Sequence, residues 1–548
     1  MIKLLLLFIS FSFILGKPIY RQDDAKKLAI NHRLPNSHIN VYIPTMPYIY
    51  VSKLINGTLV RSSDNKQGWE YMLATNVEKV GSMTYVFSLR KGVKFQDGSP
   101  FNADSVIENF NVLFKNYISF SDLNQRLDKI EKISNYKVKF ILEEPYSLLF
   151  SRLTQANIYS HSYIEKKLVS TDSSTTANSM SQAGRYGLGP YILIEGFATG
   201  RRQTPIIKLK ANPYYYEKGM PYIENITIFT ELSSKEVLRK ALKEEGGLDI
   251  TPIPFNKKIE TILSPYTKLI TMSSYNNISI LFNLVKNNSV LKDEKIRLAL
   301  NAAINQKNLL KFVYKGEGSI SPTTANNNYF AVGLVSQTLL TQHQQLIEKK
   351  SNYQDYLKRT LNGLELNVYT MDQFMFLWKG IEFQLKQYGV KLNYTVTSSE
   401  KEILEQLLTV HTNPGTWDIL TWGNDSWLST NPWGVFFHYQ AGHLWSAIDK
   451  DDIMLDYLND YMKFEFNSPE SIKSVEKIVT RAYQKAYMLA VPSPNIVLAV
   501  NKEVDYAPST VLIMPLWKAK ITPYHWSVRK GIYPKKRRIP IRPKSKDK

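Results

Sequence analysis

Residues 85–110 read YVFSLRKGVKFQDGSPFNADSVIENF, and this stretch decides the fold. Residues 84–89 alternate β-prone side chains at a two-residue period, which predicts a half-buried strand. Lys91-Gly92 and Asp97-Gly98 are turn signals, because glycine tolerates the positive φ of a tight turn. Asn102 is placed to cap a helix, and Val106, Phe110, Leu113 and Phe114 then recur at helical spacing. A strand, two turns and a capped amphipathic helix within thirty residues describe a layered α/β unit.

The same alternation continues outward. Residues 137–142, 191–194, 206–210 and 223–229 read as strands, and 237–242 as helix, stopped by Gly246-Gly247. A second block opens near residue 277 with a strand at 278–282 and a helix at 294–304. A βαβ-like run follows, with a strand at 364–369, a helix at 374–387 stopped by Gly389, and a strand at 390–396. Pro35, Pro44 and Pro47 punctuate the first segment as loops would. Gly187-x-Gly189 precedes a strand, so it is no dinucleotide-binding turn. Two separated α/β blocks imply two lobes around a cleft.

Composition narrows the function. The chain has 548 residues, 43% of them hydrophobic, enough for several domain-sized units. A net charge of +21 raises nucleic acid as a partner, but residues 530–548 alone carry nine Lys or Arg against Asp547. The remaining excess is spread thinly, and no zinc spacing or arginine-rich helix accompanies it, so no nucleic-acid partner is expected. With no cysteine there is no disulfide framework, thiolate nucleophile or lipid-acceptor Cys. Lys3, the apolar run 4–15, Gly16 and the polar residues after it read as a secretory signal peptide, residues 1–16. Gly-x-Ser-x-Gly, His-Glu-x-x-His and P-loop patterns are missing, which leaves an enzyme of unknown reaction as the weakest alternative.

Leu89, Arg90, Gly92, Val93, Phe95, Asp97, Gly98, Pro100, Ala103 and Val106 resemble, without a gap, the signature of the family 5 solute-binding proteins of ABC importers, the peptide and nickel class. GLGPYI at 187–192, KLKANPYYY at 208–216, KIRLALNAAIN at 295–305 and the segment 383–390 are similar to further landmarks of that family. The resemblance implies an α/β, two-lobed periplasmic binding protein fold of class II type, with an inserted subdomain in the first lobe. It implies lobe I at 17–59, 190–275 and 498–530, the insertion at 60–189, lobe II at 276–497 and a basic tail at 531–548. It implies a monomer in the periplasm with no cofactor. Its partners would be a small-molecule ligand, taken in the interlobe cleft, and a membrane-embedded ABC permease with its ATPase subunits. The signature residues read as scaffold, with no catalytic residue among them.

The ligand is expected at residues 417–445, WDILTWGNDSWLSTNPWGVFFHYQAGHLW, where Trp422, Asp425, Trp427, Trp433, His438, His443 and Trp445 crowd together. Large amphipathic rings beside a carboxylate and imidazoles suit a gripping site; an aromatic core explains the same pattern. Two ligand classes follow from the resemblance. In peptide-binding members an Asp pairs with the ligand ammonium, and Asp425 stands at that offset after Trp422, although Asn431-Pro432 replaces the usual Asp-Pro. In nickel-binding members Thr-Trp-Gly precedes a histidine that touches a metal chelate. Thr421, Trp422 and Gly423 match, and His443 is the candidate metal contact. Arg126 and Arg152 are candidates for pairing with a chelator's carboxylates. The nickel or other metal chelate is preferred, with a dipeptide or oligopeptide as the alternative.

Overall fold

The computed structural model describes residues 24–116, 120–169, 183–199, 202–349, 352–424, 428–511 and 513–529. The signal peptide 1–16, the Ser/Thr-rich stretch 170–181, the tail 531–548, Asp425 and Trp427 lie outside the described residues. Among the described residues no helix is long and apolar enough to cross a membrane.

Three sheets organise the chain. The largest has seven strands in the order Thr267–Met272, Ile496–Asn501, Ile250–Pro252, His38–Tyr42, Asn225–Phe229, Ile206–Ala211, Tyr191–Glu195. His38–Tyr42 runs parallel to both its neighbours, and the other pairings are antiparallel. Strand Ile496–Asn501 enters this sheet after the chain has left it for more than 200 residues, so the two lobes are joined by crossings in both directions. The second sheet has the order Asn277–Phe282, Ile419–Asn424, Glu365–Met371, Lys391–Thr397. The third is antiparallel, Ala74–Val80, Thr84–Leu89, Lys137–Leu142, Leu127–Ser134.

The signature stretch supports the third sheet. Tyr85, Phe87 and Leu89 point into the core while the residues between them are half-exposed, as the alternation requires. Asp97 Oδ1 accepts from the Ser99 amide (2.9 Å) while Gly98 takes φ 91°, closing the turn. Asn102 Oδ1 accepts from the amides of Asp104 (2.9 Å) and Ser105 (3.2 Å), satisfying two donors of helix Ala103–Asn116. Phe110 on that helix meets Phe140 on the sheet edge to face, with ring centroids 5.1 Å apart. One continuous apolar core joins this third sheet to the second, and a separate core lies against the seven-stranded sheet.

Two local readings gain physical detail. Pro47, read as loop punctuation, opens helix Pro47–Ile55, where proline loses nothing because the first helical N–H has no partner in any case. Gly187 and Gly189 run against the end of that helix. A Cβ on Gly187 would stand 1.9 Å from the Ile55 carbonyl oxygen, and one on Gly189 2.5 Å from that of Leu54. The acidic run 449–452 serves a helix start. Asp451 caps Asp452–Lys463 and forks onto Arg481, Nε and Nη2, at 2.6–3.0 Å.

Candidate functional site at the end of strand Ile419–Asn424

Strand Ile419–Asn424 lies inside the second sheet, antiparallel to Asn277–Phe282 and parallel to Glu365–Met371. Its alternation sends Thr421 and Trp422 to opposite faces. Buried Thr421 Oγ1 accepts from the Trp378 indole N–H (2.8 Å), which locks the strand to helix Met375–Lys386. Gly423 passes under Phe374, whose Cζ would be 3.0 Å from a Cβ there. The Thr-Trp-Gly triplet is therefore anchor, half-buried ring and clearance in succession.

Trp422 is half-buried on the other face. Its indole N–H donates to Glu400 Oε1 (3.1 Å), at the start of helix Glu400–Leu408. Its ring stacks on Trp445 (6.0 Å between centroids, 17° between planes) and stands on edge to His438 (5.6 Å, 85°). His438 is wholly buried, and its Nδ1–H donates to the Trp445 carbonyl at 2.8 Å. Nε2 is then the bare acceptor, with no hydrogen-bond partner among the described residues. Burial without a counter-charge pushes its pKa down to about 4.

The remaining candidates separate. Trp433 is buried and stacks flat on Tyr461 (6.0 Å, 4°), while the Trp433 amide and the Tyr461 hydroxyl both donate to Asn431 Oδ1, at 2.9 and 2.7 Å. This is a core contact. His443 sits on an exposed turn, with the Trp445 amide donating to its Nδ1 at 3.4 Å. Partial burial, followed by neighbouring His411, lowers its pKa, so it stays neutral at ordinary pH. His411 Nε2–H bridges the carbonyls of His443 (3.1 Å) and Ser446 (2.9 Å), fixing that turn. The sequence reading did not single out His411 or Glu400; Glu400 opens helix Glu400–Leu408 and His411 lies in the turn after it, and neither position carries a motif. Arg126 pairs with Glu144 (3.0 Å) and lies over Tyr146, and buried Arg152 forks onto Asp122 Oδ2 (2.9 and 2.7 Å). Both guanidinium charges are thus already opposed by carboxylates.

The opposing wall comes from the hairpin Val60–Ser62 and Trp69–Tyr71. Gly68 at its tip is packed so closely that a Cβ would lie 2.3 Å from Thr430 Oγ1. Asn467 Nδ2 donates to the Lys66 carbonyl (2.9 Å), the Ser147 amide donates to the Met462 carbonyl (2.9 Å), and Lys79 pairs with Glu465 (2.7 Å). Arg61 on the hairpin gathers Glu70 (2.6 Å), Glu217 (2.8 Å) and the face of Trp517 (5.3 Å). Near it, half-buried Lys53 donates to the Thr154 carbonyl, and desolvation of its ammonium pushes its pKa down to about 8. Neither basic residue was visible as a site feature in the sequence, because each is a single charge in an otherwise ordinary segment. On the strand side, Ser429, with φ 60°, and Thr430 both carry buried hydroxyls without a hydrogen-bond partner among the described residues.

The sequence model of the bacterial extracellular solute-binding proteins, family 5 (middle region), matches residues 69–443, from this hairpin to the His443 turn. The chain belongs to family 5. Among curated proteins, it is 25% identical over 276 residues to the oligopeptide-binding protein AppA of Bacillus subtilis, covering 48% of this chain and 47% of that one. It is 29% identical over 252 residues to the glutathione-binding protein GsiB of Escherichia coli, covering 43% of each. These matches span under half the length of the curated relatives. Two solved structures share the family 5 fold. A dipeptide-binding protein from Pseudoalteromonas in complex with Met-Leu has TM-score 0.70, with 16% identity over 88% of this chain and 100% of that one. NikA from Brucella suis in complex with Fe(III)-EDTA has TM-score 0.71, with 16% identity over 88% of this chain and 100% of that one. The two-lobed architecture of family 5 is therefore the architecture of this chain.

Proposed function

We propose that this protein captures a small solute outside the cytoplasmic membrane, in a cleft between its lobes, and hands it to a membrane-embedded ABC permease driven by ATPase subunits. The observation that carries this is the family 5 match over residues 69–443 on a two-lobed fold. Lobe I at 17–59, 190–275 and 498–530, the insertion at 60–189 and lobe II at 276–497 fit the separation of the three sheets. In this reading the ligand lies between the hairpin carrying Arg61 and the strand end carrying Trp422. Closing the lobes over it selects the closed form by the contacts made only there.

A peptide or peptide-like solute is the preferred ligand. The curated relatives named for oligopeptide and glutathione binding support it. So does the full burial of His438, which leaves His443 as the one imidazole of the 417–445 run open to a metal among the described residues. In this reading Trp422 offers a ring face and Asp425 pairs with the ligand ammonium. A metal chelate is the second reading, favoured by one observation: His443 is exposed and its pKa is lowered, so its imidazole is neutral and competent to bind metal.

Titration calorimetry with dipeptides, glutathione and nickel plus free histidine decides between them. With a peptide ligand, Trp422→Ala weakens binding at least about tenfold, Asp425→Asn costs about 2–5 kcal/mol, and His443→Ala leaves the affinity unchanged. With a chelate, His443→Ala alone abolishes nickel-histidine binding. Binding of none of these, with no small molecule retained in native mass spectra of exported protein, would overturn the proposed function.

A further inference from the structure

Helix Lys258–Leu263, in lobe I, turns its apolar side outward. Its one buried side chain is Thr261, while Ile259 (71% exposed), Ile262 (51%) and Leu263 (73%) stand in water. The spacing i, i+3, i+4 puts all three on one face of the helix. A single exposed apolar side chain is ordinary on a protein surface; three on one helix face form a patch. Polar contacts underneath hold the helix this way round. Thr261 Oγ1 donates to the Lys257 carbonyl (2.9 Å), Thr267 Oγ1 to the Thr261 carbonyl (3.2 Å) and Ser264 Oγ to the Leu242 carbonyl (2.8 Å). Rolling the helix to bury its apolar face would break these bonds, so the fold itself fixes the outward face.

The helix is nearly neutral, because Lys257 pairs with Glu260 (2.6 Å) and Lys258 with Glu317. The positive surplus lies in the chain that follows Arg529, where the described residues end. Arg529 forks onto Glu245, with Nη2 at 2.8 Å from Oε2. Glu245 is three residues from Leu242, whose carbonyl holds Ser264 at the end of the apolar helix. Three residues span at most about 11 Å, so the chain passes residue 529 beside the Leu263 end of that helix. Residues 530–548 then carry nine Lys or Arg against Asp547. Nineteen residues reach at most about 70 Å, far more than is needed to lie along any surface that this helix touches.

From this we infer that this corner of lobe I is a membrane-contact surface, for a bilayer with anionic headgroups. Ile259, Ile262 and Leu263 enter the acyl boundary, and residues 530–548 pair with headgroup phosphates. Neither signal suffices alone; a short apolar face and a polybasic segment together give stable association. Nucleic acid would use the charge and leave the apolar face in water. Which bilayer the surface meets rests on the proposed export of the chain. The contact itself is independent of the solute in the cleft, since no residue of the Trp422 or Arg61 walls takes part.

The test is flotation of the full exported chain with vesicles of phosphatidylglycerol and phosphatidylethanolamine, against vesicles of phosphatidylcholine alone. The protein should float with the anionic vesicles only, and about 0.5 M salt should weaken binding at least about tenfold. Removing residues 530–548 should cost at least about tenfold in affinity, and Ile259→Ser with Leu263→Ser about ten- to hundredfold. Both substituted side chains are exposed, so the thermal unfolding curve should not move. Failure to float with anionic vesicles overturns the inference, and so does equal flotation with phosphatidylcholine. Binding that the double substitution leaves unchanged, or that survives loss of the tail undiminished, overturns it as well. A dimer in sedimentation velocity that the double substitution dissolves would give the apolar face to a second copy of the chain and overturn it too. Flotation is read with no solute in the cleft, so its failure and a failure of the proposed function are separate results.

Discussion

Two buried polar clusters in this protein are built in opposite ways. In the seven-stranded sheet Asp249 has no exposed surface, yet it accepts from the Asn40 amide (2.8 Å), Asn501 Nδ2 (2.7 Å), His525 Nε2 (3.1 Å) and the Trp526 indole (3.0 Å). It ties the first strand, the returning strand and the C-terminal segment into one lobe. At the end of strand Ile419–Asn424, by contrast, His438 Nε2, Ser429 Oγ and Thr430 Oγ1 are buried and carry no bond among the described residues. The first cluster saturates its buried carboxylate; the second leaves buried polar atoms unbonded.

The largest effect that could break this contrast is at Asp249. Removing it by Asp249→Ala strands four donors, and should cost about 3–5 kcal/mol in denaturant unfolding. A loss below about 1 kcal/mol would mean that the network is not a fastener. Burial acts to raise the Asp249 pKa, but the His525 charge and the converging hydrogen bonds outweigh it and hold it below the usual carboxylate value. A carboxylate with a depressed folded pKa contributes stability above its unfolded pKa, near 3.9, and loses it as pH falls through the folded value. Stability should therefore drop steeply below about pH 4.

His438 sharpens the other side. Its folded pKa, about 4, lies below its unfolded value of 6.5, so the unfolded chain takes up the proton first as pH falls. Stability is full above pH 6.5 and should decline by about 3 kcal/mol between there and pH 4. His438→Gln should flatten that slope in unfolding curves taken across this window; an unchanged slope would assign it to another group.

The smallest effect is at the seam between the two walls. Gly68 has φ 76° and no room for a side chain above Thr430. Gly68→Ala should strain the hairpin and push it off the strand end, at a cost of about 1–2 kcal/mol that appears in ligand affinity as well as in unfolding. Equal loss with and without ligand would place the contact in both open and closed forms.

The signature at 85–110 was legible because each of its features is local. Alternation, an Asp-Gly turn and an Asn cap act within a few residues, and the strand Thr84–Leu89 and the helix beginning at Ala103 fall where they were read. Trp422 was legible as a candidate by its triplet, and the structure gives it a half-buried ring beside Trp445. Trp433 carried the same sequence signal, but its ring is buried flat against Tyr461, a residue 28 positions away whose approach no spacing rule reports. His443 and His438 divide likewise, one on an exposed turn and one fully buried.

By itself, then, the sequence determined the α/β class and the family, since periodicity and turn chemistry depend on short-range backbone sterics and on which faces are apolar. Tertiary structure alone decided which rings stay half-buried, as Trp422 and Trp445 do, and which fill a core, as Trp433 does. It alone decided that Arg152 is spent on Asp122. Those properties belong to pairs of groups far apart in the chain, and burial and hydrogen-bond saturation exist only once such groups have met.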